Sequence, residues 1–199
     1  MRLFEPCDIR PDLARDCGGT TPAGGQPRTS GLRQDGLVSD ELKLFADYHQ
    51  IHVFDEGSVT DLGEVWTEEA MADQLAVAGD AVAVGTMANV FVRVAVEVLD
   101  EAPADDSTAF DHVVEGSVQV PSGRLVVMGC TDFEPDAARF AVPAGPLRLR
   151  VAKSNLGVAS RLDIDSDEDP ATMELVRVQV WPAAAAPLVV LKQWPTARA

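Results

Sequence analysis

Cysteine, histidine, basic residues and aromatics are all scarce in this chain of 199 residues, and no long apolar run is present. Cys7, Cys17 and Cys130 are too few and too scattered for a disulfide framework, and an odd count leaves one thiol over, so reduced cysteines in the cytoplasm are expected. No apolar run approaches the ~20 residues of a membrane-spanning helix, and the first residues lack the apolar core of a secretory signal, which again reads as cytoplasmic. There is no phosphate-cradling glycine loop, no nucleophile elbow and no paired-cysteine metal spacing, so the reading is a non-catalytic protein without a cofactor. Lys and Arg number 16 against 32 Asp and Glu, a formal charge of −16. Such a field repels nucleic acid and attracts basic partners.

What is present is aliphatic. The chain is 46% hydrophobic but only 6% aromatic, which supports one domain with a core of Val, Leu and Ala. Residues 1–40 hold five Arg against six acids, so −15 of the net charge falls on residues 41–199. The first forty residues include CGGTTPAGGQPRTSG, which has neither helical nor strand periodicity; ordering it would cost backbone entropy without burial. A flexible extension over residues 1–40 and a single domain over 41–195 are therefore expected.

Residues 42–87 begin that domain. Leu42, Leu44, Ala46 and Tyr48 alternate with Lys43, Phe45 and Asp47, and Ile51, Val53 and Phe54 follow, which predicts a bent or two-part strand. Thr67 can cap a short helix with Glu68 and Glu69 at its positive end and Trp66 stapled onto Met71, the helix ending near Gly79. Strands are then predicted over residues 81–84, 90–98, 112–120, 124–129, 139–142, 147–151, 174–181 and 188–192, with a hairpin at Pro121-Ser122-Gly123 and a tight connection at residues 143–146. Valines at 90, 92, 94, 96 and 98 face the core; Leu147, Leu149 and Val151 point inward, Arg148 and Arg150 outward. Residues 100–108 and 160–170 read as polar loops. Eight or nine short strands and one short helix predict an all-β fold, an antiparallel β-sandwich of the jelly-roll or Greek-key kind.

Several of these segments carry a resemblance. Asp47-Tyr48-His49-Gln50, Val53-Phe54, Trp66-Thr67-Glu68-Glu69-Ala70 and the run from Ala78 to Val82 resemble the competence protein J (ComJ) family, the DNA-entry nuclease inhibitors. The strand ending Val120-Pro121, the strand from Gly123 to Gly129 and the run from Arg139 to Leu149 extend the similarity over roughly residues 42–153. The resemblance implies a small soluble protein that binds and inhibits a nuclease.

A nuclease's DNA-binding surface is basic, so carboxylates can occupy it in place of phosphates and speed association. The expected partner is a basic nuclease or another basic protein, with no direct binding of nucleic acid. The candidate contact residues are the acidic loops: Asp100, Glu101, Asp105 and Asp106 first, then Asp163, Asp165, Asp167, Glu168 and Asp169. The second loop supports an alternative, a calcium-dependent or general protein-binding sandwich. Acids at Asp163, Asp165, Asp167, Asp169 and Glu174 match the ligand spacing of an EF-hand loop. Glu168 at the turn-glycine position, Pro170 at the apolar one and strand-like flanks depart from it. His49 and His52 form H-x-x-H, but an odd separation on a strand sends them to opposite faces, and the same holds for the adjacent Asp111 and His112.

Overall fold

The computed structural model describes residues 38–166 and 169–195. The expected extension lies outside them except for its last three residues, which open the first strand. Among the described residues the elements in order are β1 (Val38–Phe45), β2 (Gln50–Asp55), α1 (Glu68–Asp73), β3 (Leu75–Ala78), β4 (Ala81–Gly85), β5 (Phe91–Val98), β6 (His112–Val120), β7 (Arg124–Gly129), β8 (Ala138–Ala141), β9 (Gly145–Ser154), α2 (Leu156–Leu162), β10 (Leu175–Pro182) and β11 (Val189–Lys192). They form a six-stranded sheet, β1-β5-β10-β9-β6-β11, and a five-stranded sheet, β3-β4-β2-β7-β8. The all-β expectation holds at this level. The purely antiparallel pairing does not, because β5 and β10 run parallel.

The alternation read from the sequence sets the core. Val92, Val94 and Val96 on β5, Val114, Val118 and Val120 on β6, Leu147, Leu149 and Val151 on β9, and Val176, Val178 and Val180 on β10 all point from the six-stranded sheet into one cluster. Ile51, Val53, Leu75, Val82, Val84, Leu125, Val127 and Phe140 meet them from the other sheet. Burial of these side chains is the main favourable term holding the two layers together. A second, smaller cluster around Leu62, Ala76, Ala81 and Ala83 lies under Val65, Trp66 and Ala70, so the outer face of the five-stranded sheet is covered by the chain leading into α1.

Five sequence expectations are corrected. The two-part strand of residues 42–54 is two strands in different sheets, joined by a tight turn in which Tyr48 and His49 adopt left-handed φ values of 54° and 57°. The turn at Pro121-Ser122-Gly123 is not a hairpin: β6 pairs with β9 and β11 and β7 with β2 and β8, so it carries the chain across the core. Residues 142–144 likewise cross between sheets. Turn residues specify a reversal but not whether the returning strand pairs or passes to the opposite layer, and β7, buried over Leu125–Met128, needs a central place. The helix starts as expected, Ala70 N–H donating to Thr67 Oγ1 at 3.1 Å, but stops at Asp73 because Gln74 turns left-handed (φ 53°). Residues 75–78 then form β3, paired with β4 across a two-residue turn at Gly79 (φ 66°). Finally, α2 runs through residues 156–159, for which no element was expected, into the first three residues of the segment 160–170 expected to be loop. Its start is capped by Asp111, whose Oδ2 accepts from Leu156 N–H at 3.0 Å.

Candidate functional site

The parallel pair β5 and β10 decides where the acidic loops go. β5 ends at the C-terminal end of β10, where Leu99 N–H donates to Val180 O at 2.8 Å; β6 begins at the opposite end, with His112 beside Lys153. Residues 99–111 must therefore cross the outer face of the sheet. They are strapped down on the way: Arg177 grips Asp106 in a two-pronged pair at 2.8 and 2.9 Å, and Arg150 Nη1 donates to Ala104 O at 2.8 Å. The hydrogen bonds from Arg177 hold the Asp106 carboxyl below its usual range. Asp105 accepts from Ser107 N–H at 2.9 Å, which lowers it in the same way. Asp100 and Glu101 are exposed.

The second acidic loop lies at the other end of β10, roughly 25 Å away along an eight-residue strand. The structure does not bring the two candidate groups together. Asp165 and Asp169 are exposed, Asp169 capping Ala171 N–H at 2.8 Å; Asp167 and Glu168 fall outside the described residues, as does the side chain of Asp163. The calcium-loop spacing is not realised, because Glu174 turns inward: it is fully buried and its Oε2 accepts from Met87 N–H at 2.6 Å and Ala88 N–H at 3.3 Å. No group of three metal-ligating side chains forms among the described residues. His49 stands exposed in its turn, while His52 lies on the outer face of β2 with Nε2 enclosed and unbonded, burial lowering its pKa.

The end of the sandwich that holds Glu174 is the chemically distinctive one. Lys153, Glu174 and His112 are each 0% exposed, and Gln74 only 4%. Lys153 Nζ donates to Gln74 Oε1 and, at 2.8 Å, to Gly85 O. His112 Nδ1 accepts from Trp194 N–H at 3.2 Å and its Nε2 donates to Asp73 O at 2.9 Å, which fixes a neutral imidazole with its proton on Nε2. Burial lowers the Lys153 pKa and raises that of Glu174, each opposed by the other's charge; burial, reinforced by Lys153, brings His112 down to about 4. In front of this cluster opens a pocket of about 390 Å³. Tyr48, Trp66, Met71, Gln74 and Met87 line it. Trp66 does not staple onto Met71 as a closed contact: it is half-buried, its Nε1 donates to Gln50 Oε1 at 2.8 Å, and Met71 is exposed.

Sequence reasoning missed this end. Its signal was the same alternation, carried one step further: Lys153 continues Leu147-Leu149-Val151, Glu174 continues Val176-Val178-Val180, and His112 continues Val114, so all three had to face inward.

The chain is a two-sheet, all-β fold with an open pocket at one end, and the comparisons with known proteins match it by fold. No protein-family model matches the chain, and no curated protein matches it in sequence. Two solved structures share its architecture. One is ComJ, inhibitor of the DNA degrading activity of NucA, from Bacillus subtilis, with a TM-score of 0.56, 16% identity, and coverage of 74% of this chain and 98% of that one. The other is the protein of crocagin biosynthetic gene J, with a TM-score of 0.52, 19% identity, and coverage of 75% and 99%. The resemblance to ComJ noted in the sequence is thus matched by the fold. No described helix is long and apolar enough to cross a membrane.

Proposed function

We propose that this chain is a non-catalytic inhibitor that binds a nuclease in the cytoplasm. The observation that carries the reading is the fold it shares with ComJ over 98% of that protein's length. The charge supports it: −15 of the net −16 falls on residues 41–199, a field that accelerates encounter with the basic DNA-binding face of a nuclease and competes there with phosphate. The acidic loops supply exposed carboxylates at Asp100, Glu101, Asp165 and Asp169, whereas Asp106 is held by Arg177 and contributes less to a partner. The test is a DNA-cleavage assay with a purified NucA-type nuclease and increasing amounts of the protein. Stoichiometric inhibition that weakens with added salt is expected; undiminished cleavage, together with no complex on gel filtration, would overturn the reading.

A further inference from the structure

The pocket draws all of its lining from one stretch of sequence, residues 48–87, and that stretch has an unusual charge. Between Lys43 and Arg93 the chain holds no Lys or Arg but nine acids: Asp47, Asp55, Glu56, Asp61, Glu64, Glu68, Glu69, Asp73 and Asp80. Glu68 and Glu69 are exposed on α1, and the Asp73 carboxyl is raised by desolvation and, to a lesser extent, by the charge of Glu69. Of the nine, Asp47 adjoins Tyr48, and Glu68, Glu69 and Asp73 share α1 with Met71, whereas Asp55 and Glu56 lie at the far end of β2, tied to Ser122 and to Arg124 and Arg139. Beside the α1 carboxylates stand apolar groups that the fold leaves open. Tyr48 is 73% and Met71 57% exposed. Tyr48 is presented by two consecutive non-glycine residues in the left-handed region, a conformation that costs energy and persists where the surroundings impose it. The adjoining turn adds Phe133, 71% exposed, next to Asp132; it is tied in place by Cys130, whose thiol donates to Asp47 O at 3.1 Å. Beneath, the Gln74 carboxamide has its oxygen bound to Lys153 and its Nε2 without a partner among the described residues. An enclosed donor left unpaired on a residue that lines a pocket is a cost that an acceptor brought by a guest relieves.

We propose that this end of the sandwich, centred on Tyr48, Trp66 and Met71, is the docking surface for a basic loop of a protein partner. Lysine or arginine side chains of that loop rest against the α1 carboxylates and the faces of Tyr48 and Trp66, where a cation gains from the aromatic quadrupole. Their aliphatic stems fill the space beside Met71 and Met87, and a main-chain carbonyl answers Gln74. Aromatic anchors ringed by charge are the usual centre of a protein interface. The proposal rests on the inhibitor reading for the identity of the partner but places the contact away from Asp100 and Glu101, at the opposite end of the six-stranded sheet.

The experiment compares Tyr48→Ala and Glu69→Gln, both at exposed positions, with the double variant Asp100→Asn/Glu101→Gln, by calorimetric binding to a NucA-type nuclease. The two pocket variants should each weaken binding about tenfold with unchanged unfolding midpoints, and the double variant by less than about twofold. Full affinity in the pocket variants, or a loss confined to the double variant, would overturn the proposal while leaving the inhibitor reading intact. A second arm titrates a blocked tetralysine peptide and follows the Trp66 indole resonance, assigned with Trp66→Phe. If no nuclease is bound but the peptide shifts that resonance in wild type and not in Tyr48→Ala, the docking surface stands and the inhibitor reading falls. A silent resonance overturns the surface as well, and a small-molecule occupant then becomes the better account of the pocket.

Discussion

The six-stranded sheet carries an ionic cluster on each face, and the two are built differently. On the inner face Lys153, Glu174 and His112 end an otherwise aliphatic layer, sealed from solvent; Lys153 bonds Gln74 and Gly85 O, and Glu174 Oε2 accepts from Met87 N–H and Ala88 N–H, while Glu174 Oε1 has no hydrogen-bond partner among the described residues. On the outer face Glu115 bridges Arg148 at 3.1 Å and Arg150 at 2.9 Å, Asp106 binds Arg177, and the chain itself forms the cover. There Arg148 donates to Ala186 O and Pro187 O, and Arg150 to Ala104 O. The inner charges sit where a layer of hydrocarbon would have served, at the expense of desolvation, and the outer ones sit where alternation demanded polar residues that a crossover then covered. The first cluster organises a site; the second fastens a strap.

Lys153 and Glu174 make no direct ion-pair contact but feel each other's charge through a sealed interior, so removing one charge should hurt most on the inner face. Lys153→Met leaves the Glu174 carboxylate buried without its cation, and a loss of about 4 kcal/mol is expected, the scale for an uncompensated buried charge. The double variant Lys153→Met/Glu174→Gln should recover more than half of it. Urea unfolding measures both, and equal losses in the single and double variants would show that the pair is not coupled.

Next in size is the acid response of His112. Its folded pKa, about 4, lies below the ordinary histidine value of 6.5, so the unfolded chain binds the extra proton first. The stabilising contribution is complete above pH 6.5 and is lost as pH falls from there through about 4, by about 3 kcal/mol. Protonation places a second N–H against that of Trp194 and undoes the tie between β6, α1 and the C-terminal segment. The outer cluster responds later, because Asp106 is depressed from 3.8 and releases its contribution only below that value. Stability measured against pH should fall in the His112 window and flatten there in His112→Gln; an unchanged slope in that variant would remove His112 from the account.

Much of this fold was legible from period-two patterning: the ranges of β5, β6 and β7 agree closely with expectation, as does the inward direction of Val92, Val94 and Val96 on β5, whereas Val90 packs in a separate small cluster with Ala88 and Ala159. The cap at Thr67 was equally local. What patterning could not supply was the partner of each strand. β1 and β2, β6 and β7, and β8 and β9 are consecutive yet belong to different sheets, and nothing in a turn sequence distinguishes a crossing from a hairpin. The same limit hid the strap: Arg148 and Arg150 do point outward, as expected, but are only 7% and 5% exposed because distant segments close over them. The acidic loops were legible as acidic and not as separated, since their distance follows from the parallel β5–β10 pair. The pocket end was readable only by following alternation past the last aliphatic residue of each strand.

The outer cluster provides the next smaller effect. Glu115→Gln removes the carboxylate shared by Arg148 and Arg150, but both guanidiniums keep carbonyl partners and Arg150 keeps Asp106 at 4.0 Å. A loss of about 2 kcal/mol is expected, below that for Lys153→Met because the orphaned charges retain acceptors. A loss as large as that of Lys153→Met would mean that the outer cluster is as tightly sealed as the inner one.

The smallest effect sharpens the contrast through salt. Asp106 is 42% exposed at its side chain, so the Coulomb part of its two-pronged pair with Arg177 is screened by solvent ions, and Asp106→Asn should cost only about 1 kcal/mol at low ionic strength. Raising NaCl to about 1 M shortens the screening length to about 3 Å and should reduce that cost to less than about half. Ions do not reach the fully buried Lys153, so the loss in Lys153→Met should stay constant over the same range. Urea is the denaturant of choice, since guanidinium would itself screen the pair. Amide exchange in residues 100–110 should quicken in Asp106→Asn while the β9 amides are unaffected, because the strap loosens without the sheet opening. If the two variants showed the same salt dependence, the distinction between sealed inner charges and a solvent-screened outer fastening would fail, and the crossover would have to be held by its contacts with Arg150 and with the Arg177–Phe110 stack at 4.3 Å.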